Sequence, residues 1–423
     1  MATQNTISTL DGLFKEVYGS SVVNLLPDFA ILSRKVPFKP SERIGEGWAI
    51  PVKLQHEHGF TYGASGDGAF TLLASVAGKI GKAIVNSAQI VLKSQMDYES
   101  AFKASSGGKQ AFMDASQAMV ENMMESFAKR QELAFLYGGT ELAKIASNTV
   151  STTTLTATIN SSDWAAGMWV GQVNCPYDIV YNGNNTVITT TTAVTLQSVN
   201  IAARELVFSG TEADFSEIKP ATDGEARLVF RGAMGSGSGG SQKESNGIDL
   251  ILSNSGVLYN LNAAVYELWR STSYDVAGSL SMDKVLEAAS KATSLGLKED
   301  VLLLVSPDSW TDLNKDLSAL RRHDSSYSSD SLKNGTEGIE YHGVSGKIEM
   351  IAHPFVKDGD GFLLPIKRCK RVGSTDITFK RPGNPNSFYR EIDAAAGFEL
   401  RAYSDQQFFV EAPGMAVKLV GIS

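Results

Sequence analysis

Cysteine is nearly absent: Cys175 and Cys369 are the only two in 423 residues, and they lie far apart. That excludes a disulfide framework and a four-cysteine zinc site, and two such thiols are expected to be reduced and buried. Histidine is almost as scarce, at five residues. No run approaches the ~20 consecutive apolar residues of a membrane span, so no membrane partner is expected. The opening MATQNTISTLDGLFKEVYGS lacks a basic start followed by an apolar block, which reads as synthesis and folding in a cytoplasm. Positive charge is in deficit too, with 38 Lys and Arg against 46 Asp and Glu and a net charge of -8. A surface built to grip nucleic acid needs clustered bases. The strongest cluster, IKRCKR at Ile366–Arg371, is short, lacks interleaved aromatics and reads as a solvated strand or loop edge. Only weak, non-specific contact with a polyanion is left open.

Motifs of catalysis are also missing. There is no G-x-S-x-G elbow, no GK[ST] phosphate loop and no HExxH. GSGSGG carries G-x-G-x-x-G at Gly235, Gly237 and Gly240, but no suitable helix follows, so it reads as a mobile loop. KDGDGF, Lys357–Phe362, lacks the ligand spacing and closing Glu of a calcium loop and reads as a hairpin turn. His56 and His58 stand two residues apart in KLQHEHGF, and in a strand positions i and i+2 share a face. Such a pair can serve one metal ion, but a third ligand and a rigid frame are required. Nothing in the spacing brings His323, His342 or His353 to them, so they read as exposed hairpin side chains. No catalytic residue, cofactor or metal is expected, which disfavours an enzyme; a hydrolase with a scattered triad is the rival it leaves.

What is present is an ordered series of parts, α+β throughout. Residues 1–35 read as an arm carrying a short helix. EGWAIPVKLQHEH and KIGKAIVNSAQIVLKSQ are strand-forming runs around a glycine-rich connection, so 36–95 read as a long hairpin with an extended tip. A two-stranded hairpin is marginal in water and needs a partner surface. Lys109–Tyr137 contains no Gly or Pro and predicts a long helix stopped by Gly138 and Gly139. Phe112, Met119, Met123 and Phe127 form its core stripe, widened by Val120 and Met124. Residues ~147 to ~232 are rich in Thr and Val and read as β, with NGNN as turn. Then come a short helix or turn at DLILSNSGVLYNL, a helix capped by Ser281 and ended by Gly296, and a buried strand running into a helix near Ser306 or Asp308. Several strands close the chain.

That order resembles the major capsid proteins of tailed bacteriophages, the Hong Kong 97-like fold. NGIDLILSNSGVLYNLNAAVYELWRSTSYDVAG is similar to the family segment before its axial-domain helices, with Leu258, Tyr259, Trp269 and Arg270 in it. The helix–strand–helix that follows, with Trp310, and the closing DQQFFVEAPGMAVKLVGI also resemble the family. One departure is YNLNAAVYELWR, where relatives commonly have a Gly and a second Trp. The resemblance implies an N-terminal arm (1–35), an extended loop (36–95) and a peripheral domain (96–232) with its spine helix and a possible inserted β-subdomain. An axial domain (233–365) and returning C-terminal strands (366–423) complete it. It implies a structural subunit that assembles with itself into pentamers and hexamers of an icosahedral shell around double-stranded DNA, located in the virion. Lys53, Gln55, His56, His58, Phe60 and Tyr62 would lie on the assembly loop, over a neighbour. The short arm implies a separate scaffolding protein; a portal and a decoration protein are further partners. Where relatives crosslink through a loop lysine, Lys53, Lys79 and Lys82 are candidates by position. Rival readings are an encapsulin-type nanocompartment and a Thr/Ser-rich tail or adhesive component.

Overall fold

Alternation dictates the first element. Along WAIPVKLQ the apolar Trp48, Ile50, Val52 and Leu54 fall on every second position, one face of a strand. In the computed structural model this is β1 (Trp48–Gln55), antiparallel to β2 (Lys79–Val85), with Trp48 opposite Val85 and Val52 opposite Gly81. The described residues are 30–39, 47–66, 68–97, 109–181, 187, 194–211, 215, 218, 226–235, 242–315, 338–343, 346–380, 389–392 and 397–423, with 97, 109–118, 338, 339 and 389 as backbone only. The arm before residue 30, Gly237, Gly240, His323 and the Phe112 side chain therefore lie outside them. The expected hairpin is present, but its return run is two strands. It breaks at Asn86 and Ser87, and β3 (Ala88–Asp97) pairs with β19 (Gly397–Val410). With β17 (Cys369–Thr378) and β18 (Tyr389–Glu391) on the other edge of β19, this makes a four-stranded antiparallel sheet.

The short helix α1 (Ile31–Lys35) is followed by the long α2 (Lys109–Tyr137), about 43 Å at 1.5 Å per residue. Met123 and Phe127 pack on Leu400 and Ala402 of the four-stranded sheet, with Met119 and Val120 beside them. Met124 does not join the stripe; it is 38% exposed. The last two turns, Gln131 to Tyr137, are buried on every side, which no one-sided stripe foretells. Glu132, fully buried there, accepts the N–H groups of Leu32 and Ser33 (3.0 Å for Ser33) and faces His353 Nε2 at 3.1 Å, tying α1 to the helix.

The β-rich region closes into a six-stranded antiparallel barrel and begins at Ala143, ahead of the expected 147. Its strands are β4 (Ala143–Val150), β5 (Thr154–Ile159), β6 (Pro176–Tyr181), β7 (Val194–Asn200), β8 (Glu205–Ser209) and β9 (Ala226–Phe230), in the order β4-β5-β8-β7-β6-β9. β4–β9 pairing closes the ring. In TLTATI the buried Leu155, Ala157 and Ile159 alternate with threonines turned outward, and Phe208 and Leu206 stand beside Leu155 and Ala157 on the paired strand β8. The helical turn α3 (Ala166–Trp169) seats Trp169 against Tyr177 at the barrel's end.

A mixed six-stranded sheet forms the remaining layer, in the order β12 (Thr272–Gly278), β20 (Val417–Ile422), β16 (Gly361–Leu364), β13 (Val301–Val305), β15 (Lys347–Ala352), β14 (Gly338–His342). Every residue of β13, VLLLV, is buried, as a continuous apolar run in a central strand requires. The segment DLILSNSGVLYNL is helix α4 (Ile248–Ser253) plus a tiny hairpin of β10 (Val257–Leu258) and β11 (Leu261–Asn262). Helix α5 (Met282–Ser294) starts after Ser281, which makes no side-chain cap bond, and ends toward Gly296 at φ +102. Ser306, not Asp308, caps α6 (Pro307–Lys315), its Oγ accepting the Ser309 N–H at 3.2 Å. The largest core cluster runs from the barrel interior through α2 to Phe362 and Phe408.

Two expectations are overturned here. KDGDGF is no hairpin turn, because β15 and β16 flank β13 and the connection between them crosses over it. Its Lys357 is only 2% exposed. Nor is IKRCKR a solvated edge. Arg371 is 4% exposed and paired with Asp376, Arg368 binds Glu299 at 2.6 Å, and Lys370 binds Glu411 at 2.7 Å. Lys367 stays exposed, while Arg368 and Lys370 find carboxylates far away in sequence and Arg371 finds one five residues on. Of the two free thiols only Cys369 is buried; Cys175 is partly exposed.

Candidate functional site

The long hairpin has a fixed root and an uncovered tip. At the root, Leu54, Ala83 and Val85 are buried against Leu261, Trp269, Val372 and Phe409. The turn Tyr259–Asn260 clasps β2: the Tyr259 carbonyl accepts the Ile84 N–H at 3.0 Å, and the Asn260 amide reaches the Lys82 carbonyl at 3.4 Å. Both turn residues have positive φ, 52° and 65°. A two-residue turn of this hand suits Gly or Asn, so Asn260 meets the demand that Gly meets in the pattern this segment resembles. Tyr259 is locked by its ring against Phe409 at 5.2 Å and by its hydroxyl, which donates to the Phe408 carbonyl (3.1 Å) and accepts from Gln407 (3.0 Å). Gly81 permits the closest approach, since a Cβ there would lie 2.5 Å from Leu54 and 2.7 Å from Leu261. Trp269 is buried and donates through Nε1 to the Leu258 carbonyl at 3.3 Å; Arg270 is exposed. Trp310 lies elsewhere, packed on the core beneath the six-stranded sheet's helices.

Beyond Gln55 the tip has little regular pairing; His58 and Val76 exchange backbone hydrogen bonds at 2.9 and 2.6 Å. Phe60, Tyr62, Leu72 and Leu73 are 71%, 90%, 75% and 66% exposed. Lys53, Gln55, His56 and His58 are exposed as well. Because β1 ends at Gln55, the same-face argument for the two histidines fails. Among the described residues no group of three or more His, Cys, Asp or Glu is placed to hold a metal. His342 ends β14 and His353 is buried beside Glu132.

On the other side of the root a groove of about 530 Å³ opens between β3, α2 and the barrel's rim. Ile90, Leu92 and Phe127 give it an apolar floor, with Lys129 and Arg130 above. The Arg130 guanidinium lies 3.3 Å from the Phe230 ring centroid, and its buried Nη1 finds no hydrogen-bond partner. Lys129 donates to the Gly167 (3.1 Å) and Val170 carbonyls, and burial pulls its pKa down to about 8, against the effect of Cys175. Burial pushes the Glu244 carboxyl up to about 7 although Arg130 and the Gly139 N–H favour its charge. The rim is cationic by its side chains, Lys129, Arg130, Arg231 and Lys243 against Glu125 and Glu244. Sequence reading missed this groove, because its walls come from three distant segments.

No protein-family model matches the chain, and no curated protein matches it. Solved structures do. The Cyanophage A-1(L) capsid asymmetric unit is similar at 11% identity and a TM-score of 0.53, over 99% of each chain. The capsid of a native GTA particle is similar at 8% identity and 0.52, over the whole of both. The holo-SrpI encapsulin complex from Synechococcus elongatus aligns at 8% identity and 0.45, over 100% of this chain and 97% of that one. At such identities the likeness is one of fold: end to end, this chain has the fold of phage and GTA capsid subunits.

Proposed function

We propose that the chain is the repeating subunit of an icosahedral phage capsid, a structural protein that closes around double-stranded DNA as pentamers and hexamers. The observation that carries this reading is the hairpin: firmly rooted, long, and apolar where nothing among the described residues covers it. The tip between Lys53 and Lys79 has no Lys or Arg and carries Glu57. The cationic, apolar-floored groove suits it. β1 packs along its length at the root and the tip projects past Gln55, whereas the groove is lined by β3, after the break at Asn86–Ser87; on this reading the tip seats in the groove of another copy. Such a tip-to-groove contact is heterologous, and heterologous contacts form rings where the rotation closes. On this reading 36–95 is the extended loop, 96–232 the peripheral domain with the barrel, 233–365 the axial domain, and 366–423 the returning strands. Further copies are the principal partner; scaffolding, portal and decoration proteins are the others, and the virion is the location.

Electron microscopy with light scattering on the purified protein tests it. Shells or five- and six-membered rings are expected, from the chain alone or with its genomic neighbours coexpressed. A clean monomer or dimer under both conditions overturns the proposal, and an enzyme copurifying in place of DNA would turn it into a cargo shell.

A further inference from the structure

The six-stranded sheet meets the barrel and the long helix along a seam crowded with buried charge. The crossover 353–360 forms one side of it. Asp358 and Gly359 donate backbone N–H groups to the Trp164 and Ser162 carbonyls at 2.9 Å each, and the Lys357 N–H donates to the Tyr137 hydroxyl at 2.9 Å. Lys357 Nζ lies 3.3 Å from Asp163, donates to the Glu141 carbonyl at 3.0 Å and sits 4.6 Å over the Tyr137 ring. On the sheet's own side, Lys418 of β20 is 3.9 Å from Asp360 and pairs with Asp249 of α4. Three carboxylates, Asp163, Asp249 and Asp360, share two ammonium groups. At the margin Glu141 is already matched by Arg227 at 3.3 Å and Lys144 at 3.8 Å. The five central side chains are between 3% and 16% exposed.

Among the five central side chains one negative charge is therefore in excess, the surplus cation at the margin being held on Glu141, and an unmatched buried charge is costly. Asp163 and Asp249 each hold an ammonium at 3.3 Å or closer; among the described residues Asp360 has only the 3.9 Å contact. We infer that Asp360 is a proton-operated latch: protonated, it leaves the seam charge-balanced and closed, and ionised, it loosens the sheet from the barrel and long helix. Burial, helped by Asp249 and Asp163 and opposed by Lys418 and Lys357, pushes this carboxyl up to about 6. Its folded value thus lies above the ordinary 3.8. The folded state then holds a proton that the unfolded state releases, so seam stability is present at low pH and lost as pH rises through about 6. The seam is tightest in mild acid and loosest near neutrality. The latch does not depend on the shell proposal; in a shell, which rests on that reading, it would let the two sides of a subunit re-angle while subunits join at neutral pH.

Hydrogen exchange on the full-length chain tests it, at pH 5.5 and 7.5 with intrinsic rates corrected and oligomeric state matched. Peptides covering 160–165 and 353–361 report the seam. In the wild type, Asp360 is expected to raise seam opening about fourfold from pH 5.5 to 7.5, the change that a carboxyl moved from 3.8 to about 6 allows over that interval. Asp358, also raised to about 6 chiefly by burial, adds a pH dependence of its own to the 353–361 peptide, so Asp360 is tested in an Asp358→Asn background. There the Asp360 difference should remain, and adding Asp360→Asn should protect the seam at both values, with less than about a twofold difference. A wild-type seam indifferent to pH, or a difference that survives Asp360→Asn in that background, would each overturn the latch. The wild-type arm stands even if a variant fails to fold, and none of the arms requires particles to form.

Discussion

The barrel and the long hairpin are built from similar strand-forming sequence, yet they end in opposite states. Barrel strands pair on both edges until β4 meets β9, and Leu155, Leu206 and Phe208 are sealed inside at 0% exposure. Closure removes the unpaired edges that make β-structure adhesive. The hairpin pairs on one edge per strand, buries three side chains at its root and leaves Phe60, Tyr62, Leu72 and Leu73 in water. A finished surface gains stability from itself; an unfinished one gains it only from a neighbour. The two regions therefore divide the labour, the barrel serving the subunit's own fold and the hairpin its association.

Substitutions can break that comparison, beginning with stability. Phe208→Ala, inside the barrel, should cost about 3–5 kcal/mol and lower Tm steeply in calorimetry. At the clasp, Tyr259→Phe should cost about 1–2 kcal/mol by leaving the Phe408 carbonyl and Gln407 short of a partner. Asn260→Val should cost a similar ~1–2 kcal/mol, because a β-branched residue resists φ +65°, while Asn260→Gly stays near wild type. Denaturant melts would separate these two. At the barrel's rim Glu244 has a folded pKa raised from 4.5 to about 7, so it contributes stability below that window and loses it as pH rises through 7. Glu244→Gln should therefore raise stability at pH 8 by on the order of 1 kcal/mol and change little at pH 4.5. Smallest of all, Phe60→Ser with Leu72→Ser should shift the unfolding free energy by less than about 0.5 kcal/mol. The same pair should abolish rings or shells under the microscope. If the tip variants melt like Phe208→Ala, the hairpin belongs to the subunit's core and the division of labour fails.

Local pattern carried further than any motif. Alternation in WAIPVKLQ and TLTATI each maps onto a strand, shorter than the run that holds it, and the uninterrupted Lys109–Tyr137 onto a helix with the expected ends. YNLN stood out as a departure, and the turn it forms explains it: Asn takes the left-handed backbone at 260. The break at Asn86–Ser87 was invisible because both halves favour strand, and only their different partners, β1 and β19, separate them. KDGDGF and IKRCKR misled for one reason. Charged residues read as solvated unless their counter-charges are known, and Asp163, Glu299 and Glu411 come from other parts of the chain. The groove and its Arg130–Phe230 stack were out of reach for the same cause.

The sequence by itself determined where strands and helices run, that the hairpin is long and glycine-tipped, and that no familiar catalytic motif is present. Those are properties of spacing and side-chain type, which act between near neighbours along the chain. Tertiary structure alone decided that the β-rich region closes into a barrel, that a two-residue turn clasps the hairpin root, and that Asp360 shares two lysines with two other carboxylates. Closure, clasp and charge balance depend on which distant residues meet in space, and burial magnifies each of those meetings by removing the water that would otherwise screen them.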